Sequence, residues 1–257
     1  MVSEVGVPEV KHKWGENYLG IINLAIAPIA IVVVYLYIRD KYEKEPLNLL
    51  FLGLLFGGFI VAPIIVVEEY LSSYASLIGN NLSYSLYVAF IVAALTEESF
   101  KFLIVYALIF ENRNFNEKFD GIVYAAFVSL GFALVENILY VVNPEFGGAY
   151  TAMMRSIFAV PAHALFGVTM GYYLALAKFE PERKMEMLLK AFFIPIFLHG
   201  LYDFILIYQN PLLLLGFVPY VLFIWVTGFR KMKEHIQASP FKDKEIEKTE
   251  SQEKIQK

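Results

Sequence analysis

The chain has 257 residues, of which 58% are apolar and only 18% are charged, and its mean hydropathy is +0.56. Soluble domains are close to half apolar and a quarter charged, so the composition indicates a protein embedded in a lipid bilayer. The net charge of −4 gives no attraction to nucleic acid. The absence of cysteine excludes disulfide frameworks, thiol nucleophiles and thiolate metal sites.

Residues 1–17 are polar and lack the basic segment and short apolar run of a signal peptide. A spanning helix needs about 20 mostly apolar residues. Seven stretches meet this requirement: Tyr18–Ile38, Leu47–Val67, Tyr84–Phe110, Gly121–Val142, Ser156–Ala177, Met185–Tyr208 and Pro211–Gly228. Residues 229–257 are rich in Lys and Glu, which predicts a charged cytosolic tail. We therefore expect an all-α, multi-pass bundle over residues 18–228 in the cell membrane.

The basic residues predict the orientation of this bundle. They concentrate in alternate connections: Arg39, Lys41 and Lys44 after helix 1, Arg113 and Lys118 after helix 3, Lys178, Arg183 and Lys184 after helix 5, and Arg230, Lys231 and Lys233 after helix 7. The opposite connections contain Arg155 as their sole basic residue. Because cytosolic loops carry the excess of Lys and Arg, we expect the N-terminus outside and the C-terminus in the cytosol.

Several ionisable residues fall inside the predicted spans: Glu97, Glu98, Lys101, Glu136, His163, His199 and Asp203. A charge at the bilayer centre costs at least ~2.5 kcal/mol, so these side chains must face one another or a wet cavity. On the predicted topology four of them lie within about 13 Å of the outer boundary, and Glu97 lies about 20 Å below it. One shared site that opens to the outside accounts for this coincidence of depth.

Helical periodicity groups these residues further. Residues four apart share a face, so Asp203 stacks on His199, and Lys101 on Glu97. Glu97 and Glu98 point about 100° apart around the helix axis and therefore cannot have the same role. Small residues also recur at this spacing on helices 4 and 5 and predict close helix contact. They are Gly121, Ala125, Ser129 and Ala133 on helix 4, and Gly167 and Gly171 after His163 on helix 5.

Simpler interpretations exist for single residues. An intramembrane histidine is often a packing residue, Glu97 and Lys101 can form a structural ion pair, and Glu68 and Glu69 at a span boundary are expected to be solvated. For the whole set, a transporter or channel is the main alternative to an enzyme, because membrane carboxylates also relay protons and bind cations. A non-catalytic immunity or binding protein is a further alternative.

The motifs of most intramembrane proteases are missing. The chain has no HExxH of a metalloprotease, no GxSG of a rhomboid and no GxGD of an aspartyl protease. A glutamate and histidine constellation remains. Amide hydrolysis needs an activated water, a proton donor for the leaving amine and a stabilised oxyanion. Glutamate can act as base and then as acid, and imidazoles can orient water, bind the oxyanion or ligate a metal.

The ordered motifs resemble those of a known family. Glu97 to Lys101 reads EExxK, Phe132 to Glu136 reads FxxxE, and His199 to Asp203 reads HxxxD. Between and before them stand Asp120-Gly121, Arg155-Ser156, Pro161-Ala162-His163, Arg39-Asp40 and Glu45-Pro46. This set, from about Arg39 to Asp203, is similar to the PrsW family of membrane proteases, which shares a superfamily with CAAX-prenyl endopeptidases and bacteriocin-processing proteins.

The resemblance implies endoproteolysis of membrane-anchored protein substrates, an anti-sigma factor being the substrate of the best-known members. By analogy Glu97 or Glu98 activates water, and Glu136, His163 and His199 complete the site. Asp203 would then orient His199, and Lys101 would hold the glutamate pair. Compared with CAAX endopeptidases, Glu136 replaces a histidine, which argues against a prenylated substrate.

The motifs leave metal dependence open. His163, His199 and Glu136 could provide the three ligands of a catalytic zinc and leave one position for water. The same residues can also act without metal, with Glu97 as the base and the two imidazoles holding water and oxyanion.

Overall fold

The computed structural model describes residues 18–143, 145 and 147–242. The polar segment predicted for residues 1–17 lies outside this part, as do residues 243–257 of the predicted charged tail. In the described part the regular structure is helical, and short turns join seven long helices.

The helices are α1 (Tyr18–Arg39), α2 (Leu47–Ala75), α3 (81–110), α4 (Lys118–Val142), α5 (Ala149–Phe179), α6 (Lys184–Tyr208) and α7 (Pro211–Gln237). Among the described residues, six of the seven are long and apolar enough to cross a membrane. The exception, α3, carries Glu97, Glu98 and Lys101 and packs against α2 and α6. The predicted all-α, multi-pass membrane bundle is confirmed.

Three helices extend by about two turns beyond their predicted ends, farther than the others. Helix α2 runs to Ala75 rather than Val67, and α5 begins at Ala149 rather than Ser156. Helix α7 continues to Gln237 rather than Gly228, so residues 229–237 of the predicted tail are helical. The apolar pattern shows where a helix contacts lipid, whereas the backbone hydrogen bonds of a helix continue into polar sequence. In α7 this continuation is packed, because the buried His235 ring stacks on Tyr172.

Prolines interrupt the helices where side chains converge. Pro63 has no N–H for the carbonyl of Phe59, and the regular helix of α2 is broken next to it at Ile60. Helix α5 has a π-turn at Arg155–Ala159 just before Pro161. Pro28 in α1 likewise frees the carbonyl of Leu24, which accepts a 3.0 Å hydrogen bond from Ser156 Oγ of α5. The proline thus ties α1 to the start of α5.

Helix α4 is the centre of the bundle, and all its residues from Phe119 to Ala133 are buried. Small residues let its neighbours approach closely, as the sequence predicted. A Cβ on Gly171 of α5 would lie 2.0 Å from the carbonyl oxygen of Gly121 in α4, and one on Gly131 of α4 would lie 2.0 Å from the carbonyl oxygen of Leu54 in α2. This close packing fixes the three helices relative to one another.

Candidate active site

Seven ionisable side chains from four helices converge inside the bundle. They are Glu97, Glu98 and Lys101 on α3, Glu136 on α4, His163 on α5, and His199 and Asp203 on α6. Each lies within hydrogen-bonding or ion-pair distance of at least one other member. The structure therefore brings together all the residues that the sequence placed at similar depth.

Local irregularity of the helices helps to aim these side chains. A π-helical segment, Tyr87–Leu95, ends two residues before Glu97, and the π-turn Arg155–Ala159 ends four residues before His163. Each π-turn inserts a residue into the helix and rotates the residues that follow, which is why such turns are frequent at functional sites.

Lys101 is the cationic centre of the cluster. Its Nζ lies 3.0 Å from Glu97 Oε2, 2.8 Å from Glu98 Oε1 and 3.3 Å from Nδ1 of His163. The ammonium also lies 4.0 Å from the ring centroid of Phe132. The side chain is fully buried. Since an uncompensated buried charge costs several kcal/mol, these contacts allow adjacent glutamates to lie inside the bundle.

The two histidines are oriented in the same way. His163 turns Nδ1 toward Lys101 and places Nε2 2.9 Å from Oε2 of Glu136. His199 turns Nδ1 toward Glu98 Oε1 at 3.0 Å and places Nε2 3.2 Å from Oδ2 of Asp203. Each imidazole thus points Nδ1 toward the centre of the cluster and Nε2 toward a carboxylate at the edge of the cluster. A carboxylate that contacts the ring nitrogen facing away from the metal fixes the tautomer and ring orientation of a metal-ligating histidine.

Arg155 contacts Glu136 at the edge of the cluster. Its Nη2 lies 2.7 Å from Glu136 Oε2, its Nε donates to Asn137 Oδ1 at 2.8 Å, and its guanidinium lies 3.9 Å from the ring centroid of Tyr140. The sequence placed Arg155 in a loop, whereas α5 begins six residues before it. The feature of the sequence that could have indicated a role in the site is that Arg155 is the sole basic residue in the predicted external connections.

A cavity of about 500 Å³ opens beside the cluster. Glu97 is on its wall with Glu136, His163, His199 and Asp203, whereas Glu98 and Lys101 lie behind the wall. Of the adjacent glutamates, Glu97 is therefore the one that a substrate or water in the cavity can reach.

Two further charged residues line this cavity, Arg155 and Glu68. The expectation that Glu68 is merely solvated at a span boundary was wrong, because α2 continues past it to Ala75 and turns it toward the cavity. The adjacent Glu69 is exposed and does not line the cavity.

The chemistry of the cluster fits a metal. Ligand atoms of Glu97, Glu98, His163 and His199 all lie within 4.8 Å of one another, and all four residues are buried. Glu98 Oε2 is buried and has no hydrogen-bond partner among the described residues, although the other oxygen of this carboxylate contacts both Lys101 and His199. Two imidazoles and a carboxylate form a ligand set of catalytic zinc. These four residues include both glutamates of the pair but not Glu136, the third ligand suggested by the sequence, whose Oε2 contacts His163 Nε2 and Arg155 Nη2.

A second polar cluster lies at the other end of α4, about 24 Å from Glu136. Tyr124 donates to a carboxylate oxygen of Glu45, and Asp40 Oδ2 accepts the backbone N–H of Glu45 at 3.0 Å. Burial raises the pKa of Asp40 to about 6, and it raises the pKa values of Glu45 and Glu117 to about 7. The cluster takes Asp40, Glu45 and Asp120 from three of the motifs quoted above, for which no role was predicted.

Comparisons with known proteins agree with this geometry. Residues 45–227 match the family described as PrsW family intramembrane metalloprotease. The Protease PrsW of Clostridioides difficile (strain 630) is 36% identical over 224 residues, which are 86% of this chain and 93% of that protein. The Protease PrsW of Geobacillus kaustophilus (strain HTA426) is 37% identical over 216 residues, 83% of this chain and 91% of that protein.

The Protease PrsW of Bacillus subtilis (strain 168) is 35% identical over 215 residues, 83% of this chain and 94% of that protein. No solved structure matches the chain. The match covers most of the bundle, including every helix that supplies the cluster. The chain belongs to the PrsW family of intramembrane metalloproteases and is a multi-pass membrane protease that acts on protein substrates in the membrane.

Proposed function

We propose that Glu97 is the general base of an endopeptidase that cuts membrane-anchored proteins in the cavity described above. The observation that carries this assignment is the different placement of the two glutamates. Glu97 is on the cavity wall, and Glu98 is completely buried behind it. The resemblance of the EExxK motif left this choice open.

In the proposed reaction Glu97 takes a proton from the attacking water and then delivers it to the leaving nitrogen of the peptide bond. Proton transfer by a positioned carboxyl group contributes about 10²- to 10⁴-fold to a rate. Lys101, 3.0 Å from Glu97 Oε2, fixes the carboxylate from behind. Apolar residues line the cavity from α2 and α6, such as Ile64 and Leu206, and would limit the bulk water around the reacting bond.

We assign the metal to Nδ1 of His163, Nδ1 of His199 and the carboxylate of Glu98. The orphaned Glu98 Oε2 and the shared direction of both Nδ1 atoms support this set. Bound there, a zinc ion would supply a Lewis acid that acidifies water and polarises the scissile carbonyl. Glu136 and Asp203 would hold the two imidazoles through Nε2, and Arg155 would hold Glu136.

The cavity is proposed to open on the outer side of the membrane. Its lining runs to the C-terminal ends of α2, α4 and α6 and to the N-terminal parts of α3 and α5, which lie at one end of the bundle. The distribution of Lys and Arg predicts that this end is external. The substrate class is thus an anchored protein cut near its external membrane boundary, such as an anti-sigma factor where the host has one.

Reconstituted protein tests this function directly. The full chain in liposomes, supplied with zinc and a single-span substrate, is expected to release one soluble fragment whose new terminus maps by mass spectrometry to the external boundary. Glu97→Gln is expected to release the fragment about 10²- to 10⁴-fold more slowly, and Glu69→Gln is the matched control. Equal release by wild type and Glu97→Gln would reject the assignment.

A further inference from the structure

The acidic residues of the cavity differ in how their charges are compensated. Glu97 lies 3.0 Å from Lys101, Glu136 lies 2.7 Å from Arg155, and Asp203 lies 3.2 Å from His199. Glu68 also lines the cavity, but it forms no hydrogen bond or ion pair with any residue that the structure describes. Its carboxylate is therefore available to a group that enters from outside.

The position of Glu68 suits contact with a substrate. It belongs to the face of α2 that lines the cavity, together with Val61, Ile64, Ile65 and Ser72. These residues follow helical spacing, so Glu68 points inward while its neighbour Glu69 points away. Glu68 is partly exposed, and it lies seven residues before the end of α2, or about 10 Å below that end.

The electrostatic environment of Glu68 selects the charge of its partner. The charges that act on it most strongly are those of Glu97 and Glu136, which are both acidic, and the cations Lys101 and His199 act less. A carboxylate in this low-dielectric cavity is stabilised by a cation and destabilised by a further anion. An ammonium or guanidinium group on the substrate would therefore be favoured next to Glu68, and an anionic group would be disfavoured.

We propose that Glu68 is a specificity residue that receives a Lys or Arg side chain of the substrate next to the scissile bond. This proposal rests on the proposed function, because it places the bound peptide in the same cavity as Glu97. The chemical class of substrate is an anchored protein with a basic residue in the segment that enters at the external boundary. The long side chains of Lys and Arg can reach the required depth while their backbone stays near the membrane surface.

The test uses the purified full chain with zinc and one anchored substrate made in three versions for each position that is varied. At each position flanking the cut, the residue is Lys, Gln or Glu in turn, and kcat/KM is measured. At one position the wild type should prefer Lys over Gln by about 10- to 100-fold, the range of a charge-assisted hydrogen bond, and should disfavour Glu. Glu68→Gln should bring the Lys:Gln ratio close to one, and Glu68→Asp should restore part of it.

Glu69→Gln is the matched control, since it makes the same chemical change one residue away on the exposed side, and its ratio should equal that of the wild type. An unchanged ratio in Glu68→Gln would overturn the proposal. An equal fall on all three substrates would do the same, because a structural or catalytic role changes kcat without changing charge preference.

Binding provides a readout that does not depend on cleavage. The same three substrates are titrated into Glu97→Gln and into the double variant Glu68→Gln/Glu97→Gln, with fluorescence anisotropy as the signal. Tighter binding of the Lys version only where Glu68 is present supports the specificity role, even if Glu97 proves not to be the base. Equal dissociation constants for all three versions in both variants would overturn it.

Discussion

Oε2 of Glu136 lies 2.9 Å from Nε2 of His163, so this imidazole turns its other nitrogen inward to the centre of the site. Asp203 does the same for His199 from the next turn of α6. The two carboxylates come from different helices and contact different histidines. Each nevertheless contacts Nε2 of its imidazole, so that Nδ1 faces the centre of the cluster. In the proposed function this relationship makes Glu136 a positioning residue rather than a ligand.

Glu136→Gln is accordingly expected to weaken zinc binding by about 10- to 100-fold, the usual effect of removing a carboxylate from the far nitrogen of a ligating histidine. His163→Ala removes a ligand and should weaken binding far more. Competition titration with a zinc chelator measures both values, with Glu111→Gln in the α3–α4 connection as the control. Equal losses in Glu136→Gln and His163→Ala would show that Glu136 is itself a ligand.

The contact between α4 and α5 predicts a large effect of a small substitution. In Gly171→Ala the new Cβ would lie 2.0 Å from the carbonyl oxygen of Gly121, a backbone atom that cannot rotate away. The helices must separate, so we expect a loss of at least about 1–3 kcal/mol in the free energy of unfolding. Thermal unfolding in detergent measures it. Gly216→Ala in α7 is the control, because no atom of the described residues lies within 4 Å of its Cβ; equal midpoints for both variants would contradict the observed packing.

The polar cluster at the other end of α4 predicts how stability depends on pH. Burial raises the pKa of Glu117 to about 7 and that of Asp40 to about 6, whereas both groups titrate near 4 when unfolded. The folded state therefore holds protons that the unfolded state has released. This contribution is complete below about pH 4 and is lost as the pH rises through about 6 to 7.

We therefore expect the unfolding midpoint of the wild type to fall more between pH 5 and pH 8 than that of Glu117→Gln, which has no proton to lose at this position. Glu182→Gln, at an exposed residue, is the control and should behave as the wild type does. A fall of the same size in Glu117→Gln would show that Glu117 is not protonated in the folded protein.

The membrane orientation is tested with reporters. A reporter inserted in the 76–80 connection between α2 and α3 should report an external position. Reporters in the Asn112–Asn116 connection and after Lys242 should report the cytosol. The reason is the alternation of Lys and Arg among the connections. A cytosolic signal from the 76–80 connection would reverse the bundle and place the opening of the cavity inside the cell.

The sequence was sufficient to predict seven helices and to select the ionisable residues that meet in the site, because each costs too much free energy in lipid to lie there alone. It could not predict those roles that depend on how a helix is rotated about its axis or how a side-chain ring is turned. Whether Glu97 or Glu98 faces the cavity, and which nitrogen of His163 faces the centre, is set by the π-turns and by packing on α4. Glu68 and Arg155 were misplaced because their helices extend past the apolar runs that mark them.

The assignment of Glu97 as base and Glu98 as ligand is tested most directly by measuring zinc content and kcat together in Glu97→Gln and Glu98→Gln. We expect Glu97→Gln to keep stoichiometric zinc while kcat falls by about 10²- to 10⁴-fold, and Glu98→Gln to lose zinc and activity together. Retention of near wild-type kcat by Glu97→Gln, or loss of zinc from Glu97→Gln with retention by Glu98→Gln, would contradict the proposed mechanism.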